Sequence, residues 1–256
     1  MDVQIRDKLF VVGGASSGLG KAIALQLLEE GAAVIGIGRN RERFVDMTDT
    51  FPSTLEVLEL DLSEEHAPER IVSAIGSRTL SGVLVNGGGP PAKKAMETTL
   101  ADWDAAYAGL LRWKVALTQA LVPLMMPYGY GRMLFLESAS IRQPIENLVL
   151  STSLRMAVAG FVKTLSQELS TSGITFNLIA PGSHDTPAIE RIYRKKSEQT
   201  GKSFEDVRQE AIAQAPSRTL GHPGDFAQLA CWLLSPASRF VTGQTYLVDG
   251  GSVKGT

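Results

Sequence analysis

The chain has a single cysteine, Cys231, and only three histidines in 256 residues. One thiol excludes an internal disulfide framework, and with the histidines so few and scattered no metal site is expected. Charge of one sign is lacking too: a formal net charge of −2 gives no electrostatic reason to expect nucleic acid or an anionic membrane as partner. No uncharged apolar run reaches the roughly 18–20 residues that a spanning helix needs. The N-terminus does not show the basic, then apolar, then small-residue order of a secretory signal. No Pro/Ser-rich linker, short-period repeat or low-complexity segment divides the chain. These absences point to a cytoplasmic protein, expected as one domain over 1–256, long enough to bury a large core without covalent or metal support.

What is present is alternation. Short apolar runs at 9–12, 33–37, 54–60, 82–85, 133–136, 175–179 and 245–248 are nearly continuous, as suits parallel strands covered on both faces. Between them lie helical patterns at 19–30, 102–126, 153–169 and 226–234, the first ending at Gly31, a residue free to adopt positive φ. Repeated strand–helix–strand order implies an α/β fold, a parallel sheet with right-handed crossovers and helices on both faces. The least regular stretch, 183–216, is rich in charge and reads as two short helices outside the sheet, a substrate lid or a solvated insertion.

The segment Val12-Gly13-Gly14-Ala15-Ser16-Ser17-Gly18-Leu19-Gly20 joins the first strand to the first helix. A diphosphate approaches backbone N–H groups at a helix N-terminus, where side chains would block it, and glycines at 14, 18 and 20 clear the way. A glycine cluster alone is also what an ordinary tight turn needs; its place between strand and helix is what favours a dinucleotide. The second strand ends Gly38-Arg39-Asn40-Arg41. An NAD-specific site would want a carboxylate there for the ribose 2′-hydroxyl. Arg39 instead offers a planar cation suited to a 2′-phosphate, with Arg41 as a possible helper, so NADP(H) is favoured over NAD(H); a solvated basic helix start is the alternative.

Further landmarks follow in order. Asn86-Gly87-Gly88-Gly89 comes after the fourth strand, Asn177 and Pro181-Gly182 with Thr186 after the sixth, then Gly221-His222-Pro223-Gly224, Thr242-Gly243-Gln244 and Val248-Asp249-Gly250-Gly251. Together with the Gly-x-x-x-Gly-x-Gly turn they resemble the short-chain dehydrogenase/reductase family over residues 5–252. The resemblance implies a Rossmann-type doubly wound sheet of about seven strands. It also implies a carbonyl or secondary-alcohol substrate and a homotetramer or homodimer whose contacts lie on 102–126 and 153–169. Cofactor contacts are expected at Gly14, Ser16, Ser17, Gly18, Leu19, Gly20, Arg39, Asp61, Leu62, Asn86, Gly87, Gly88, Pro181, Gly182 and Thr186. Asp61 would lie near the adenine, unless it simply caps the following helix, and Thr186 would bond the nicotinamide carboxamide.

The match fails where the family carries its chemistry. There a Ser orients the carbonyl, a Tyr moves the proton, a Lys one turn later lowers the Tyr pKa and holds the ribose, and a helix Asn anchors a relay water. The strand Gly131-Arg132-Met133-Leu134-Phe135-Leu136-Glu137-Ser138 makes Ser138 the match for the Ser. Counting back from Gly160-Phe161 places Ser151 at the Tyr position and Arg155 at the Lys position; from Trp103-Asp104 the Asn position falls on Leu110. No Tyr occurs anywhere from 131 to 192, so no slip of register restores the motif. Arg155 keeps a permanent charge that can bond a ribose or stabilise an alkoxide. Ser151 is too short and too weak an acid to replace a phenol of pKa ~10, and losing a positioned general acid typically costs about 10²–10⁴-fold in rate.

His184, in the loop between Gly182 and Thr186, is the candidate substitute acid, against the alternative of a solvated loop histidine. Strand alternation points Glu137 away from Ser138, toward a structural ion pair. Trp113 and Lys114 read as helix packing or surface residues, and Arg142 as surface charge or a contact for an anionic substrate. Tyr193 with Arg191, Arg194, Lys195 and Lys196 reads as a lid or a charged helix face. The favoured function is an NADP(H)-dependent carbonyl/alcohol oxidoreductase resembling 3-oxoacyl reductases, using Ser138 and Arg155 with Ser151 and His184. The alternative is a degenerate dinucleotide-binding regulator or inactive partner subunit, with a lyase or epimerase as the remainder.

Overall fold

The computed structural model describes residues 2–255, the side chain of Gln214 excepted. Along the chain run β1 (Leu9–Gly13), α1 (Gly18–Glu29), β2 (Ala33–Gly38), α2 (Val45–Thr50), β3 (Leu55–Glu59), α3 (Ala67–Ile75) and β4 (Leu80–Val85). The second half holds α4 (Leu100–Tyr107), α5 (Trp113–Met125), β5 (Gly131–Leu136), α6 (Val149–Glu168), β6 (Ile174–Pro181), α7 (Pro187–Thr200), α8 (Phe204–Gln214), α9 (Pro223–Leu234) and β7 (Thr245–Val248). The strands form one parallel sheet in the order β3-β2-β1-β4-β5-β6-β7.

In the inner strands successive residues feed two different cores, which is why their apolar runs are nearly continuous, whereas edge strand β3 exposes Glu56 and Glu59. Phe10, Val12, Val34, Leu134 and Leu136 pack with Ile23 and Leu27 of α1 and Phe226, Ala230 and Leu233 of α9. Their neighbours Leu9, Val11, Ile35, Val83, Met133 and Phe135 face the opposite side, against Ile71 of α3, Leu117 and Leu121 of α5, and Val158 and Val162 of α6. With helices on both faces, the order reverses between β1 and β4. That reversal opens a crevice beyond the carboxyl ends of these two strands, the usual ligand position in a Rossmann-type sheet.

Several expected boundaries change. The helix expected over 102–126 is interrupted: Ala108–Arg112 forms a π-turn between α4 and α5. Such an inserted residue widens the ladder without disturbing the apolar pattern, so periodicity does not register it. The Trp113 indole N–H donates to the Gly109 carbonyl at 2.8 Å, inside this turn. Helix α6 starts at Val149, four residues before the expected start, because Leu148 begins it with no polar cap side chain to mark it. Ser151 and Arg155 therefore both stand on its first turns. The first helix does end at Gly31, whose φ is +83°, and α7 and α8 occupy the irregular charged stretch. No helix among the described residues is long and apolar enough to cross a membrane.

Candidate functional site

A cleft of about 1130 Å³ lies at the β1/β4 switch point. Its wall includes Gly14, Ser16, Ser17, Gly18, Leu19 and Gly20, then Arg39, Asp61, Leu62, Asn86, Gly87, Gly88 and Thr186. Thirteen of the residues expected at a cofactor are thus brought to one surface. The turn is built by close approach. Gly14 has φ +64°, and a Cβ on it would lie 2.6 Å from Asn86 Nδ2; a Cβ on Gly20 would lie 2.8 Å from the same atom. That amide donates to the Gly13 carbonyl at 3.1 Å, so Asn86 braces the turn from β4. Ser17 precedes α1 without a side-chain cap bond, and the first turn of α1 holds no acidic residue. The helix end is left open to an anion, where N–H groups and dipole act together.

At the far end of the cleft stand Arg39, Asn40 and Arg43. Arg39 is 79 % exposed and 3.9 Å from Asp61, a loose surface pair. The Asp61 carboxyl is held below the usual carboxylate range, chiefly by the backbone and side chain of Ser63, which it accepts from at 3.0 and 2.7 Å. Asp61 therefore closes its own turn at the cleft wall. Arg41, expected to help Arg39, does not: its Nη1 donates to the Val57 carbonyl at 3.2 Å, across β3. The turn of 3₁₀ helix at Arg41–Phe44 rotates Arg43 to the cleft instead. Sequence reasoning missed Arg43, although its spacing of four from Arg39 was a usable signal.

The opposite end is lined by Leu110, Trp113, Leu136 and Leu150. Trp113 is a wall residue, not helix packing alone: a Cβ on Gly87 would come within 2.8 Å of its ring. By contrast a Cβ on Gly88 meets nothing within 4 Å, so that glycine leaves open space in the cleft. Ser138, Ser151 and Arg155 are not among the residues lining the cleft; they follow Leu136 of β5 and Leu150 of α6, which are. The Ser138 hydroxyl accepts the Ser140 N–H at 3.1 Å and keeps its own proton to donate. Arg155 Nε donates to Ser151 Oγ at 3.0 Å. Its Nη1 donates to Glu137 Oε2 at 2.8 Å, and its Nη2 lies 3.5 Å from where a Cβ on Gly89 would sit.

The expectation of Lys114 as packing or surface is corrected. Lys114 is 1 % exposed and its ammonium bonds the other oxygen of Glu137, a side chain with no exposed surface. Burial pulls the Lys114 pKa down, the Glu137 charge opposing and the Arg155 charge adding to the fall. Glu137 is in an ion pair, as strand alternation suggested, but a buried one with two cations.

His184 is a second correction. It is neither over the cleft nor solvated: it is 4 % exposed, with its ring edge-on to Phe226 at 4.9 Å. The backbone of His184 bridges Gly221, and a Cβ on Gly221 would lie 2.5 Å from the imidazole. Its Nδ1 faces the Gly182 carbonyl at 3.2 Å. Burial lowers its pKa, so the ring is a neutral packing group between β6 and α9. Pro181 and Gly182 also stand off the cleft wall; Gly182 is pressed to Asp249, whose Cα would be 2.7 Å from an added Cβ. Tyr193 is buried toward Phe204, joining α7 to α8 rather than facing a substrate, while Arg191 does line the cleft.

A family model described as enoyl-(acyl carrier protein) reductase matches residues 14–253. The chain is 27% identical to the 3-oxoacyl-(acyl-carrier-protein) reductase of Thermotoga maritima, over 98% of this chain and 100% of the relative. It is 26% identical to the 7alpha-hydroxysteroid dehydrogenase of Escherichia coli K12, over 99% and 97%. Among solved structures, the L-sorbose reductase of Gluconobacter frateurii, in complex with NADPH and L-sorbose, superposes with a TM-score of 0.94 at 25% identity, covering 100% of both chains.

Proposed function

This chain belongs to the short-chain dehydrogenase/reductase family, and from that premise we propose that it is an NADP(H)-dependent oxidoreductase interconverting a carbonyl and a secondary alcohol, with 3-oxoacyl-like compounds as its substrate class. The observation that carries this reading is the uncapped, acid-free N-terminus of α1 opening on a cleft that ends in two guanidinium groups.

The backbone N–H groups around Gly14–Gly20 hold the diphosphate. Arg39 and Arg43 take the 2′-phosphate, which favours NADP(H) over NAD(H). Asp61 and Leu62 flank the adenine, and Gly87 and Gly88 leave room for the nicotinamide ribose. Thr186 meets the carboxamide. When bound, the nicotinamide supplies or accepts the hydride. Ser138 and Arg155 orient the substrate oxygen and stabilise the charge that grows on it, Ser138 through its free O–H and Arg155 through Nη2, which also bonds the nicotinamide ribose. Ser151, in the place of the family's Tyr, acts by holding Arg155. With His184 withdrawn into the core, the proton comes from water reaching Ser138, and turnover is about 10²–10⁴-fold below that of a Tyr-bearing site.

Oligomerisation through α4, α5 and α6, where Tyr107 and Met156 are exposed, is part of the same proposal; sedimentation as a clean monomer would refute it. The central test is steady-state and stopped-flow oxidation of NADPH against acyl, sugar and steroid ketones. Slow turnover with one class is the expected result. NADPH demonstrably bound and no oxidation with any ketone would overturn the enzymatic reading.

A further inference from the structure

Glu137 has no exposed side-chain surface. A carboxylate so placed has lost its hydration and needs a counter-charge at each oxygen. Lys114 takes Oε1 and Arg155 Nη1 takes Oε2 at 2.8 Å. Arg155 is fixed a second time, through Nε to Ser151 Oγ at 3.0 Å. A planar guanidinium held at two of its three nitrogens cannot turn. The direction of the third is thereby set. That nitrogen, Nη2, has no acceptor among the described residues, and it lies 3.5 Å from the Cβ position of Gly89, which lines the cleft. The Arg155 side chain is 11 % exposed, and Nη1 also lies 3.5 Å from the Leu136 carbonyl, which leaves Nη2 as the nitrogen without a partner among the described residues.

We propose that Glu137, braced from behind by Lys114, is a positioning residue that clamps Arg155 with one nitrogen turned to the nicotinamide end of the cleft. A long arginine in place of a shorter ammonium has more rotamer freedom to lose and a fork that must be aimed. Glu137 supplies the aim, and Lys114 occupies the second oxygen so that the carboxylate cannot swing away. Neither residue touches cofactor or substrate; both act through Arg155. The proposal rests on the reading of Arg155 as the residue beside the nicotinamide ribose.

The test compares two ligands by calorimetry. NADPH spans the cleft, whereas 2′,5′-ADP carries only the adenosine half and does not extend to Arg155. Glu137→Gln and Arg155→Met are each expected to weaken NADPH binding about 10-fold, the size of a lost charge-assisted bond, and to leave 2′,5′-ADP unchanged. Glu137→Gln added to Arg155→Met is expected to cause no further loss, because the first residue works only through the second. As Glu137→Gln strands buried cations and can prevent folding, the pair K114M/E137L, which removes Lys114 and Glu137 charges together, is measured alongside and should show the same selective loss. NADPH affinity unchanged in these variants, a loss shared equally by 2′,5′-ADP, or an additive loss with Arg155→Met would overturn the proposal while the cofactor reading stands. A wild-type protein that binds neither ligand overturns the cofactor reading itself.

Discussion

The carboxylate of Glu137 meets the guanidinium of Arg155 at 2.8 Å where β5 ends, and the ammonium of Lys114 closes on its other oxygen. This arrangement of two cations around one buried anion makes the three residues unequal in stability. Removing the anion leaves two like charges facing each other out of water. Removing Lys114 leaves a complete pair and takes away an ammonium whose burial already opposes its charge. Glu137→Gln should therefore destabilise by about 3–5 kcal/mol, and Lys114→Met by less than about half of that. Urea unfolding at neutral pH measures both, and equal losses would contradict the asymmetry.

Arg39 and Arg43 share one end of the cleft, while Arg41 is turned to the Val57 carbonyl. Each of the first two should contribute to 2′-phosphate affinity and the third should not. Alanine at 39 or at 43 is expected to weaken 2′,5′-ADP about 10-fold, as for one charge-assisted bond. Alanine at 41 should leave it within about 2-fold. Binding of 5′-AMP, without the 2′-phosphate, serves as control; its loss in step with 2′,5′-ADP would mean that the guanidiniums do not read that group.

The sheet was legible because nearly continuous apolar runs are what two-sided burial requires, and β7 begins and ends where its run does. The glycine turn was legible because its backbone passes so close to Asn86 and to itself that side chains are excluded at defined positions. What could not be read depended on partners distant in sequence or on backbone detail within a regular pattern. The π-turn at Ala108–Arg112 adds a residue without breaking the apolar stripe. Lys114 and Glu137 lie 23 residues apart on different elements, and nothing local marks them as a pair. His184 sits in the predicted loop, yet the side to which its ring turns is decided by Gly221 and Phe226.

Gly14 combines a φ of +64° with the Asn86 amide 2.6 Å from where a Cβ would go. Alanine there strains the backbone and pushes away the side chain that braces the turn. Gly14→Ala should cost about 1–3 kcal/mol of stability and weaken NADPH binding at least about 10-fold, because the diphosphate donors move with the turn. Thermal unfolding and calorimetry on one preparation check both. Unaltered NADPH affinity would argue against a diphosphate at this turn.

Cys231 is buried in α9, and its thiol pKa is pushed up to about 12, first by burial and then by the nearby Glu30 charge. Because the thiolate is the reactive form, the native protein should not react with a disulfide reagent at pH 8 over minutes. The denatured chain should release one equivalent of thiol. Rapid native labelling would show that α9 opens readily from the sheet.

His184 offers a pH test of its own placement. Burial lowers its pKa, with the Gly182 carbonyl and Asp225 only partly offsetting the fall. In the unfolded chain the imidazole regains an ordinary pKa of about 6.5. Above that value both states are neutral, and the group contributes no pH dependence. As pH falls through about 6.5 the unfolded chain takes up a proton that the folded chain refuses. Stability must then decrease, by at most about 1.4 kcal/mol per pH unit from this group, until the lowered folded-state pKa is reached. Urea unfolding of wild type and His184→Gln between pH 8 and pH 5 separates it: the wild-type curve should bend downward below about pH 6.5, and the variant should be flatter there. Parallel curves would mean that the imidazole is open to protonation in the folded state, against its withdrawal among Phe226 and Gly221.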